Sequence, residues 1–105
     1  MGKIACGMDV VEARGLPAAP LDAAAEFAAR YFPILRGYGS CMVILDHADH
    51  THDSWRKAAI EELAREAAPG RINAVVGSES GAIAQVLKYL DDAPGVTGQI
   101  FTLAE

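Results

Sequence analysis

Ser40-Cys41-Met42-Val43-Ile44-Leu45-Asp46 is the stretch on which the fold turns. Its centre, Cys41 to Leu45, is an unbroken apolar run. A strand with one wet face alternates apolar and polar residues, whereas a continuous run marks a strand covered on both faces, the situation of a parallel sheet. Working downstream, residues 46–53 (DHADHTHD) are polar throughout and read as loop. A helix is expected over residues 54–68, with Asp53 or Thr51 as its N-cap and Pro69-Gly70 as its stop. Lys57 and Glu61, and Glu61 and Arg65, stand four apart on its outer face and are positioned to pair. Residues 71–76 (RINAVV) read as a further strand. Ser78-Glu79-Ser80 opens a helix expected to reach Asp92, capped by Ser78 or Ser80, and Ala93-Pro94-Gly95 turns the chain into a last strand at residues 99–103.

Upstream, Gly37-Tyr38-Gly39 closes a helix expected over residues 22–36, where alanines of the best helix propensity interleave with Phe27, Tyr31 and Phe32. Pro33 falls inside it and should kink or shorten it. Residues 15–20 (GLPAAP) are a loop, and residues 3–11 are a first strand with a ragged end. The order is β-α-β-α-β-α-β with short connections, an α/β chain expected to fold as one domain over residues 1–105. Such alternation builds a mostly parallel, four-stranded sheet flanked by three helices.

Composition narrows the function. Of 105 residues, 51% are apolar and 22% charged, which excludes a disordered chain. Fourteen acidic against nine basic side chains leave a net charge of −5, the wrong sign for nucleic acid or an anionic membrane surface. The longest apolar run falls far short of the roughly 20 residues that span a bilayer. Met1-Gly2-Lys3 leads into a mixed stretch and not a long apolar segment, so the expected compartment is the cytoplasm, where Cys6 and Cys41 would be free thiols.

Several segments, in order, resemble the C-terminal half of a short-chain dehydrogenase/reductase. Tyr31-Phe32-Pro33-Ile34-Leu35 followed by Gly39-Ser40 and Met42 to Leu45 resembles that family's proline-bearing helix and fifth strand. Arg71-Ile72-Asn73-Ala74-Val75-Val76-Gly77 resembles its sixth strand, which typically reads VNAVAPG, and Val96-Thr97-Gly98-Gln99 resembles the VTGQ turn into its last strand. The likeness covers about residues 25 to 103 and implies a Rossmann-like half sheet. The family builds its dinucleotide site on a glycine-rich turn in its first βαβ unit, which has no counterpart here, so no cofactor is expected. The family's chemistry needs a serine after the fifth strand and a tyrosine four residues ahead of a lysine. Here Asp46-His47-Ala48 follows that strand. Anchoring on Lys57 puts Asp53 in the tyrosine position, and anchoring on Ala64-Arg65-Glu66 puts Asp49 there with Asp53 for the lysine. A carboxylate has the wrong charge and reach for that proton transfer. The expectation is a family member without catalytic or cofactor-binding residues.

Two local features stand apart from the resemblance. Asp46, His47, Asp49, His50 and His52 cluster in one loop at the carboxyl end of a strand, where open α/β sheets place ligands, and are candidate metal ligands. Their spacing matches no zinc signature, and the competing reading is a solvated loop whose aspartates cap the next helix. Gly77-Ser78-Glu79-Ser80-Gly81 joins a strand to a helix but matches neither a phosphate loop nor a nucleophile elbow. A half sheet with few helices leaves apolar surface and an unpaired first strand. If every crossover is right-handed, all three helices lie on one face; the resemblance implies that the last one crosses to the other. The expected outcome is a homodimer through helices 22–36 and 54–68, whose Ala23, Ala24, Ala28, Ala58 and Ala59 permit close approach, or through the first-strand edge. A related full-length reductase is the alternative partner, and a ligand-binding or enzymatic role for loop 46–53 is the alternative function.

Overall fold

The computed structural model describes residues 8–105, so the beginning of the expected first strand and Cys6 lie outside the described residues. The elements are β1 (Asp9–Ala13), α1 (Pro20–Leu35), β2 (Cys41–Leu45), a 3-10 turn (His50–His52), α2 (Asp53–Ala67), β3 (Ile72–Val76), α3 (Ser80–Asp92) and β4 (Ile100–Thr102). The strands lie in the order β1-β2-β3-β4, and every pairing is parallel, with Val43 opposite Val11 and Ala74 and with Val75 opposite Phe101. All five residues of β2 and of β3 are buried, as an apolar run flanked by a strand on each side demands.

Alternation along the strands sorts the side chains into two cores. Val11, Cys41, Val43, Leu45, Ile72, Ala74 and Val76 face α1 and α2, meeting Phe27, Tyr31, Leu35, Ile60 and Leu63. Met42, Ile44 and Val75 face the other way, against Leu90 and the half-buried Ile83, Val86 and Leu87 of α3. The last helix therefore sits on the face opposite the first two. Because the sheet grows in the same direction throughout, its crossover has the opposite hand to theirs, against the strong general preference for one hand. The arrangement is a three-layer α/β sandwich of Rossmann-like half-fold, and one helix covers the second face.

Local chemistry moves several boundaries. Pro20, expected in the loop, occupies the first turn of α1, where a missing N–H costs nothing and a fixed φ favours the helix. Pro33 lies in the last turn, and the helix ends two residues later, where bonds from Gly37 to Ile34 and from Tyr38 to Leu35 tighten the chain. The residue preceding α2 is His52, which makes no side-chain cap; Asp49 caps the 3-10 turn instead, accepting from the Thr51 N–H at 3.0 Å. Neither expected serine caps α3. Glu79 does, its carboxylate accepting from Gly81 N–H at 3.0 Å and Ala82 N–H at 2.7 Å. On α2, Lys57 pairs with Glu61 as expected, at 3.2 Å, but Arg65 turns to Glu62 and not to Glu61. Gly70 is required where two backbones meet: a Cβ there would stand 1.7 Å from the Gly39 carbonyl oxygen, and neither loop can yield without moving the strand it feeds.

The turn into β4 is stitched to β3 by polar side chains, one of them buried. Asn73, fully buried, donates to the Val96 carbonyl at 3.0 Å and accepts from Gln99 N–H at 3.0 Å. Arg71 donates to the carbonyls of Ala93 and Val96, and the Thr97 hydroxyl accepts from Ile72 N–H. Among the described residues no helix is long and apolar enough to cross a membrane.

Candidate functional site

Parallel strands bring their carboxyl ends, Ala13, Leu45, Val76 and Thr102, to one edge. The three βα connections leave from that edge, and most of the chain's distinctive chemistry gathers there. Arg14 is its staple: the guanidinium donates to Glu12 at 2.9 Å, to Asp46 at 2.8 Å and to the Gly77 carbonyl at 3.1 Å, tying three strand ends together. Asp46 has its second oxygen on Gly15 N–H at 2.9 Å. That backbone donor first, and the Arg14 guanidinium after it, hold its carboxyl below the ordinary carboxylate range.

The five side chains considered as metal ligands are dispersed among separate tasks. Asp46 serves Arg14 and Asp49 caps its own turn. The His47 Nε2 lies 3.1 Å from Glu105, and His50 is exposed. His52 is buried, 6% exposed, between the Trp55 indole N–H, which donates to Nδ1 at 3.0 Å, and the Ala18 carbonyl 3.0 Å from Nε2. An indole only donates and a carbonyl only accepts, so these partners assign a neutral ring protonated at Nε2. Trp55 itself packs on Phe27 at 5.4 Å and belongs to the core. Among the described residues no group of three or more His, Cys, Asp or Glu is placed to hold a metal ion.

Neither register of the reductase active site assembles a phenol at this edge. Asp53 is the exposed first residue of α2, and Lys57, one turn on, is committed to Glu61. The three tyrosines of the chain stand elsewhere: Tyr31 in the α1 core, Tyr38 in the turn entering β2 and Tyr89 on α3. Nor is there a glycine-rich cradle after β1, where Arg14-Gly15-Leu16-Pro17 runs to a helix start without a side-chain cap. Cys41 is fully buried in the sheet, and burial pushes its thiol up to about 12, which leaves it unreactive at neutral pH.

Sequence reading missed two features of this edge. The first is Glu105, whose carboxylate accepts from Ser78 N–H at 2.9 Å and Glu79 N–H at 2.7 Å as well as from the Ser78 hydroxyl at 3.2 Å. The Glu79 and Ser78 amides hold its pKa below the usual glutamate range. A depressed folded-state pKa means the tie is fully present above the ordinary carboxylate range and is lost as pH falls through the lowered value. The Ser78 and Glu79 amide resonances should therefore titrate together, with a midpoint below the usual Glu value of about 4.3. In Glu105→Gln that step should vanish; its persistence would assign the titration to another group.

The second is Arg56. It is only 8% exposed, its guanidinium carbon lies 5.7 Å from the Trp55 ring centre, and its Nε is sealed from solvent without a partner. Burial lowers its pKa, with Asp46 and Asp53 acting the other way. Arg56 walls two clefts. One, of about 400 Å³, lies between α2 and β4, with Lys57, Val76, Gln99 and Ile100 among its lining. The other, of about 300 Å³, lies between the loop after β1 and the loop after β2. A signal for Arg56 was present in the sequence: Arg56, Ile60, Leu63 and Ala64 share the helical spacing of one face, so a charge stands on the apolar stripe of α2.

The family model described as "Short chain dehydrogenase-like protein" (SDR-like) matches residues 11–103. Neither the curated proteins nor the solved structures yield a match. The matched span runs from the middle of β1 to the end of β4 and takes in all three helices, and the chain belongs to the short-chain dehydrogenase-like family.

Proposed function

We propose that this chain is a non-catalytic member of its family that works through protein contacts, as a homodimer or paired with a related full-length reductase. The observation that carries the reading is Asp53, a carboxylate four residues ahead of Lys57 where the family's chemistry needs a phenol. Binding of a nicotinamide cofactor is not expected either, because the turn after β1 offers a guanidinium and a proline in place of a run of glycine amides.

Support for the contact role comes from the outer surface. Leu21 is 85% exposed and Ile34 45%, and they flank exposed Ala25, Ala29 and Pro33 on α1. Ala58 is exposed on α2, with Ala59 half-buried, so small side chains line the outer face of both helices. Ala23, by contrast, is fully buried beneath α1 against its own sheet and is unavailable to a partner. The outer edge of β1 pairs with no other strand among the described residues, and Val10 on it is 38% exposed.

Light scattering at micromolar concentration should give twice the chain mass of 11.1 kDa. Leu21→Arg should weaken the assembly at least about tenfold, worth about 1.4 kcal/mol. Calorimetric titration of the same sample with NADH and NADPH should give no binding heat. A mass of one chain overturns the homodimer, and saturable nicotinamide binding overturns the non-catalytic reading.

A further inference from the structure

We propose that Arg56 anchors the carboxylate of a small apolar acid lodged in the cleft between α2 and β4. This goes beyond the contact role and stands on separate observations. An arginine buried to this degree normally finds a carboxylate or several carbonyls, because an unpaired buried charge is among the least favourable features a fold can carry. Among the described residues Arg56 forms no hydrogen bond, although two carboxylates lie nearby. Asp46 is occupied on one oxygen by Arg14 and on the other by Gly15 N–H. Asp53 acts on Arg56 only through its charge. The guanidinium is therefore held ready for a partner the chain does not supply.

The cleft indicates what that partner is. About 400 Å³ lies at the lower end of the range for small-molecule sites. Its apolar lining, Val76 and Ile100, belongs to the face of the sheet on which α1 and α2 pack. An apolar body resting there would place its acidic end at Arg56, whose planar fork matches a carboxylate in two-pronged fashion. The remaining charges set the valence. Lys57 and Glu61 neutralise each other at 3.2 Å, His47 is engaged by Glu105, and Asp53 lines the same cleft with one negative charge. Against Asp53, a monoanion is accommodated better than a phosphate dianion.

Trp55 is the chain's single tryptophan and stacks beside Arg56, so its fluorescence reports on the site. The full chain is titrated with cyclohexanecarboxylate, cyclohexyl phosphate and inorganic phosphate, following Trp55 emission and the melting temperature. The carboxylate should give a saturable change and raise the melting temperature, with a dissociation constant at least tenfold below that of either phosphate. Arg56→Met should remove binding while keeping or raising the melting temperature, since an unpaired buried charge has been replaced by an apolar side chain of similar length. A structural arginine would instead lower it. Thr102→Glu, at an exposed position on the cleft rim, should weaken carboxylate binding about tenfold without unfolding risk. No saturable response to the carboxylate overturns the proposal, as does binding that survives Arg56→Met. Tighter binding of a phosphate overturns the choice of ligand, and indifference to Thr102→Glu overturns the choice of cleft.

Discussion

Phe27→Ala is expected to destabilise the chain by about 3–5 kcal/mol, the usual loss when a buried aromatic ring is truncated in a core that cannot collapse around the hole. Phe27 is 1% exposed and sits where α1 meets α2 and the sheet. Its ring touches Tyr31 at 5.6 Å, Phe32 at 5.8 Å and Trp55 at 5.4 Å between centroids. Removing it takes away the packing of three aromatic neighbours together with its own transfer from water. Domains of this size have about 5–15 kcal/mol of stability in total, so the variant should be at least partly unfolded at 37 °C. Because Trp55 also holds His52 and stacks beside Arg56, the damage should spread to the carboxyl edge, seen as a red-shifted Trp55 emission before the main unfolding transition. A denaturant midpoint giving a loss below about 1 kcal/mol would show that the aromatic cluster repacks and that the core is less specific than its geometry implies.

Asn73→Leu should cost about 1–3 kcal/mol although it places an apolar side chain in a fully buried site. The physical reason is asymmetry. Leucine is branched alike but bulkier, the Gln99 N–H loses its acceptor, and the Val96 carbonyl keeps only the Arg71 donor. Each orphaned backbone group costs about 1–3 kcal/mol. The effect should be local first. β4 is three residues long, so the turn that feeds it is its principal anchor, and the Gln99 and Ile100 amides should lose hydrogen-exchange protection before those of β2. Equal loss of protection in both strands would mean the sheet opens as one unit and that Asn73 is not the tether. Asn73→Asp should also destabilise, because it keeps the acceptor for Gln99 and loses the donor to Val96 while burying a charge.

The strand at Cys41–Leu45 and the alternation of strands and helices were legible because they follow from local period and from residues that punctuate the chain. Gly37 to Gly39, Pro69-Gly70 and Pro94-Gly95 break elements whatever lies around them. Pro20 opens α1 two residues ahead of the expected start, since proline both ends loops and starts helices and only the flanking geometry decides between them. Caps were less legible. Glu79, and not its flanking serines, closes α3 because the serine beside it is already turned to Glu105, a contact of long sequence separation. The loop at residues 46–53 looked like a ligand set because His and Asp are ligands in composition. In space, each of His52, Asp46 and Asp49 is drawn to a different partner.

What the amino-acid order determined by itself is therefore the succession of elements and the doubly buried central strands. These depend on neighbours within a few residues or on identity alone. Only the tertiary structure decided that α3 crosses to the far face of the sheet, that His52 is a core hydrogen-bonding residue and that Arg56 is buried without a partner between two clefts. Each of those depends on which surfaces meet at long range, where the free energy of burying a group is set by atoms that local spacing does not specify.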